Sequence, residues 1–162
     1  MPVFATAGAK LYIGTAMDDT DEDLVEADFT SMVWTEITGL ENLGSLGDTS
    51  QATTVSHIGR ARDITLKGTR SAGTMEVVAS INYADAGQLA AIAAEKSKVA
   101  FGFKLVFNDA PAVGASPKPS ERKFAALIMS ANEQLDGAND SMKLNISLAV
   151  NSNVVRKNAS AT

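Results

Sequence analysis

The side chains of this chain with the best claim to chemistry are a lone histidine, a short acidic run and a glycine-flanked loop. His57 stands beside Ser56 and near Thr54. A lone histidine can act as a general base, but a base of this kind needs a third group to orient it. No carboxylate stands at a marked spacing, so the stretch reads as an exposed polar loop, and a hydrolase centred on His57 is a weak reading. Asp19-x-Asp21-x-Asp23 has the alternating carboxylates of a calcium loop. An EF-hand loop wants glycine at its sixth position and glutamate at its twelfth. Here these are Leu24 and Thr30, so the acidic run 18–23 reads as a solvated loop. Gly68-Thr69-Arg70-Ser71-Ala72-Gly73 has a phosphate loop's glycines without its Gly-Lys-Ser/Thr ending. A strand follows it, so it reads as a hairpin connector. Asn145-Ile-Ser147 and Asn158-Ala-Ser160 match the glycosylation sequon, which carries weight only in a secreted chain.

Composition narrows the classes further. Zero cysteines exclude a disulfide framework, a thiolate nucleophile and a cysteine zinc site, and one histidine excludes a two-histidine metal centre. Neither an enzyme nor a cofactor is expected. The 14 Lys and Arg against 19 Asp and Glu give a net charge of −5, which argues against gripping nucleic acid by counterion release. Apolar residues make up 45% of the 162 positions, too many for a disordered chain and enough for one core. No apolar run approaches the roughly 20 residues of a membrane helix, and the first 14 residues do not read as a signal peptide. A soluble protein of a reducing compartment, or one released without secretion, is the expectation.

The elements that must position these residues are mainly strands. Period-2 alternation predicts strands over 10–16, 31–38, 61–67, 74–82, 98–107, 121–132 and 142–151. The last alternates most cleanly, with Met142, Leu144, Ile146, Leu148 and Val150 on one face. Val99, Phe101, Phe103, Leu105 and Phe107 make a second apolar face. Asp85 can cap a helix through about Lys96, with Ala86, Leu89, Ala90, Ile92 and Ala93 as its apolar stripe. Residues 39–60 read as a long glycine-rich loop, and the spacing of Ile37, Leu40, Leu43 and Leu46 at its start could form one helical turn. Residues 108–120 hold three prolines and read as a loop, and the tail 156–162 should fray. About seven antiparallel strands and one helix, after the fourth strand, imply a single domain over 1–162, a β-sandwich or small barrel with a flanking helix.

The order of these elements resembles the major tail tube protein of long-tailed (siphovirus-like) bacteriophages, from about Lys10 to Val155. The resemblance rests on Arg62-Asp-Ile-Thr-Leu-Lys67-Gly68-Thr-Arg70-Ser-Ala-Gly73, on the strand to Asn82, and on Asp85-Ala-Gly-Gln88-Leu89. Trp34-x-x-Ile37 followed by a glycine-rich loop adds to it. It implies a structural virion protein forming hexameric rings that stack into a channel for DNA. Its partners would be further copies, other tail proteins (terminator, tape measure, distal tail) and DNA as a passing cargo, with no membrane binding. Its location would be the phage tail, after assembly in the host cytoplasm.

Six copies would carry about −30 per ring, and a negative lumen repels phosphates so that DNA slides. Asp63, Glu76 and Glu133 are the candidate lumen-lining acids. Loop 39–60, with Leu40, Leu43, Leu46 and Asp48, is the candidate ring-stacking loop, and 17–30 is a second candidate for contacts. Two alternatives stand beside this reading. One is a related tube or terminator of a contractile tail or a type VI-like secretion system. The other is a monomeric β-barrel binding a small apolar ligand in a cavity lined by Phe101, Phe103 and Phe107.

Overall fold

Antiparallel strands with one apolar face dominate the structure. The computed structural model describes residues 2–18 and 22–162, so Asp19 and Asp21 of the calcium-loop reading lie outside the described residues. The strands are β1 (Lys10–Met17), β2 (Thr35–Ile37), β3 (Leu40–Asn42), β4 (Thr49–Val55), β5 (Ile64–Ser71), β6 (Thr74–Ser80), β7 (Ala100–Val106), β8 (Glu121–Gln134), β9 (Lys143–Val150) and β10 (Val155–Lys157). Helix α1 (Ala86–Glu95) follows β6, and a 3-10 turn spans Glu26–Phe29.

Eight strands join one antiparallel sheet in the order β2-β1-β7-β8-β9-β6-β3, and β10 pairs with the start of β8. Only Thr38 and Gly39 separate the two edge strands, β2 and β3. Three peptide links reach about 11 Å at most, so the sheet curls until its edges meet at that corner. Its inner face closes on one core of Leu11, Ile13, Met75, Phe103, Phe124 and Ile146, with Ala91 and Ala94 of α1. Phe103 and Phe124 stack there at 5.8 Å between ring centroids.

Part of the outer face is also covered. Leu24 and Phe29, from the stretch around the 3-10 turn, bury Ala125 with Met32, Trp34 and Met17 packed beside them. Gly102 makes room for this cover, since a Cβ there would lie 2.4 Å from the Met32 sulfur. Lys123 lies beneath it, paired with Glu26 and, at 3.2 Å, with Glu121. Burial pulls the Lys123 ammonium toward neutrality, and the two carboxylates override that, leaving its pKa raised.

Several expectations change. The stretch 39–60 is not one loop: it holds β3 and β4, and no helical turn forms at 37–46. The strand expected over 31–38 shrinks to Thr35–Ile37, because Val33 points to solvent. Gly68–Ser71 continue β5 and do not connect a hairpin to β6; the hairpin partner of β5 is β4. The helix forms as expected, after the sixth strand, but its buried face is shifted from the expected stripe, of which Ala90 and Ile92 still pack against the core. Gly87, Gln88, Ala91 and Ala94 are buried while Leu89 is half exposed. Small residues let α1 approach closely: a Cβ on Gly87 would sit 2.1 Å from the Glu36 carbonyl oxygen. The tail 156–162 does not fray throughout, since Arg156 and Lys157 pair with β8 and Ser160 bridges to Lys118.

Candidate functional site

Three places carry the arrangement that a function could use: a cornerstone, a bare sheet face and a protruding ribbon. The cornerstone is the Asp85-Ala-Gly87-Gln88 start of α1. Asp85 caps the helix through Gln88 N at 2.9 Å and accepts the Thr38 hydroxyl at 2.9 Å. Gln88 is buried, donates to the carbonyls of Thr38 and Ser80 at 2.9 Å each, and accepts from Asn82 N at 2.9 Å. One amide side chain thereby ties helix, corner and the end of β6 together. The role of these residues is to close the curled sheet.

The outer face of β6, β9 and β8 has no such cover. Cross-strand rows run Glu76–Ser147–Ser130, then Val78–Asn145–Asn132, then Ser80–Lys143–Gln134. Ser147 donates to Glu76 at 2.8 Å. Lys143 pairs with Glu41 at 2.7 Å, and hydrogen bonds from Lys143 and Ser80 hold the Glu41 carboxyl below its ordinary range. Asn145 Oδ1 has no hydrogen-bond partner among the described residues.

The ribbon is β4 paired with β5, a two-stranded sheet apart from the main one. Its residues are exposed or half-exposed throughout, so no core backs it. A two-stranded ribbon without a packed face is marginal in water. A bulge places Gly68 and Thr69 opposite Gln51, and bulges twist a ribbon and blunt its edges. At the tip Ser56 donates to Asp63 at 2.6 Å, bypassing His57, so no Ser–His–Asp relay exists.

The residues singled out from sequence do not converge. Asp63 sits near the ribbon tip and Glu76 on the bare face. Glu133 shares the face of Leu144, the core side, at the far end of β8. Leu40, Leu43 and Leu46 pack against this chain's own core, and Asp48 pairs with Arg70 at 2.5 Å at the ribbon base. Phe103 is fully buried, and the cavity of about 380 Å³ that Phe107 borders is lined by Leu43, Arg122 and Arg156 and not by Phe101 or Phe103. Among the described residues no group of three His, Asp or Glu could hold a metal. Among the same residues no helix is long and apolar enough to cross a membrane.

No family model and no curated protein sequence matches this chain. Solved structures do. A chain of the anti-feeding prophage baseplate, solved with 6-fold symmetry, matches with a TM-score of 0.67 at 13% identity, over 98% of both chains. The SPP1 tail tube protein matches with a TM-score of 0.63 at 17% identity, over 96% of this chain and 80% of that one. The anti-feeding prophage tube-terminating cap gives 0.66 at 12% identity, over 98% and 93%. The chain therefore has the mainly β fold of tail tube and tube-terminating proteins.

Proposed function

We propose that this chain is a structural, non-catalytic subunit of a phage-type tail tube. Copies form hexameric rings, the rings stack, and the bare β6–β9–β8 face lines a channel for DNA. The observation that carries this is the ribbon without a core, held on a tail tube fold. Such a ribbon gains a packed face only from another molecule, and a heterologous contact between copies builds rings or filaments. The 6-fold symmetry of the baseplate that this chain resembles supports six copies per ring. Glu76 faces the channel in this reading. Glu133, on the opposite side of the sheet, does not, and Asp63 travels with the ribbon. The stacking role of loop 39–60 rests with β4 and its partner β5, because the leucines of that loop close the subunit itself. Terminator, tape-measure and distal tail proteins are the further partners, and the phage tail is the location.

The likeness to the anti-feeding prophage cap favours a second reading, a terminator or tube ring of a contractile injection system. Negative-stain microscopy of the purified chain tests both. Long hollow tubes support the tube subunit, and single rings that never stack support the terminator. A particle that stays monomeric at high concentration in several buffers overturns both.

A further inference from the structure

The ribbon and the β8–β9 turn carry opposite charge, and the ribbon springs from the end of β6 opposite to that turn. Residues 49–71 hold Arg60, Arg62, Lys67 and Arg70 against Asp63 alone, within a chain of net charge −5. At the tip Ile58 is fully exposed, and neither Arg60 nor Arg62 has an ion-pair partner among the described residues. The turn from Glu133 to Met142 holds Glu133, Asp136 and Asp140 and no basic residue. Leu135 and Met142 stand exposed beside these acids. Asp136 accepts from the Gln134 amide and Asp140 from Gly137 N, so two of the three acids hold the turn's shape and keep their charge outward. Each surface thus sets an exposed apolar residue among charges mainly of one sign, with Asp63 the exception at the tip and Lys143 beside the turn.

Register fixes where they stand. The ribbon base, where Thr49 pairs with Ser71, leads directly into Thr74 at the start of β6, which pairs with Ala149. The β8–β9 turn lies at the other end, where Ser80 pairs with Lys143. Seven residues of strand separate the two ends, about 20 Å at a strand's rise per residue. A ribbon that runs on beyond its base therefore leads away from the turn of its own subunit and toward that of a neighbouring copy.

We propose that the ribbon tip of one subunit docks head to tail on the β8–β9 turn of a second copy, with Arg60 and Arg62 against Glu133 and Asp140. This deepens the tube reading and rests on it. Charge of this kind sets register and rejects the reversed stacking, in which tip would face tip and turn would face turn.

Charge exchange tests the contact in the full chain, read by sedimentation and negative-stain microscopy. Arg60→Glu with Arg62→Glu should raise the concentration needed for polymerisation about tenfold or more, since like charges then face each other. Glu133→Lys with Asp140→Lys should do the same, and Glu133→Gln with Asp140→Asn, which keeps a capping acceptor at the turn, should do so more weakly. The four charge reversals in one chain swap the two surfaces and should restore tubes, as should an equal mixture of the two charge-reversed doubles. Assembly of the unaltered chain should also weaken as salt rises. If the unaltered chain polymerises and the reversed doubles polymerise as well as it does, or the fourfold exchange is no better than either double, the contact is wrong and the tube reading stands. An unaltered chain that never polymerises overturns both.

Discussion

Two antiparallel hairpins of this molecule use the same ladder and live in opposite surroundings. In β8–β9 every second residue of β9, from Leu144 to Val150, is buried under the opposite wall of the curled sheet. In β4–β5 almost nothing is buried. Backbone pairing is alike in the two, so pairing alone does not separate a stable hairpin from a marginal one; the packed face does. The difference divides labour within the chain. The body holds the buried core, and β4 and β5 contribute no buried residue to it.

The largest way to break this contrast is to strip the core beneath β8. Phe124 is fully buried and stacked on Phe103. Phe124→Ala should cost about 3–5 kcal/mol, a large share of a domain's stability, and lower the melting temperature sharply. Leu66→Ala, on the half-exposed ribbon, should leave the same melting curve in place. A body variant that melts like the parent would show that the hairpins are not so different.

Next come the cornerstone residues. Gly87→Ala drives a methyl group into the Glu36 carbonyl, and neither backbone can yield without moving α1 off β2. Gln88→Ala leaves the Thr38 and Ser80 carbonyls and Asn82 N without the bonds they make now. These bonds are part-buried, so losing them together should cost about 1–3 kcal/mol. The chemical denaturation midpoint should fall for both variants, and more for Gly87→Ala if close approach is what seats the helix.

Sequence alternation gave away β1, β6, β7, β8 and β9, because each buries one face and the period of two records that burial. It could not show β4, since Thr49–Val55 has no buried face to write a pattern; its β-branched Thr53, Thr54 and Val55 were the signal on offer. The helix was legible through Asp85, but of the stripe Ala86, Leu89, Ala90, Ile92 and Ala93 only Ala90 and Ile92 pack against the core. Close packing on β2 instead selected glycine, glutamine and alanine. Glu133 falls on the core side of the sheet, away from Glu76, for a geometric reason. The register shifts between Ile128 and Ser130, and one extra residue exchanges the faces of everything beyond it. No count along the sequence reveals such a bulge.

A smaller effect separates the covered and bare parts of the sheet's outer face. Lys123 is nearly buried between Glu26 and Glu121. Lys123→Met, an apolar side chain of similar length, should cost little, because it removes the buried charge and the two carboxylates it leaves unpaired are partly exposed to water. Glu26→Gln removes one partner of the buried charge and should destabilise more. The raised Lys123 pKa adds a sign: its contribution is fully present below the unfolded value of 10.5 and is lost as pH rises through the higher folded value. Melting curves between pH 7 and 11 should show that loss in the parent and not in Lys123→Met. A parent that loses no more than the variant would mean that the pair contributes nothing.

The smallest effect on stability should come from the largest excision. Thr49 and Ser71 are cross-strand partners at the ribbon base, so their Cα atoms stand about 5 Å apart. A two-residue Asn-Gly turn can join them in place of 50–70. That removes β4 and β5 while keeping Leu43 and Leu46 on the core, which an excision begun nearer to β3 would lose. The shortened chain should melt within a few degrees of the parent, since no buried core residue is removed. It should also fail to form tubes under conditions where the parent forms them. Normal tubes from the shortened chain would return the ribbon to the status of a surface arm. A collapse in its melting temperature would mean that the ribbon packs on the body after all, and the division of labour between the two hairpins would be lost.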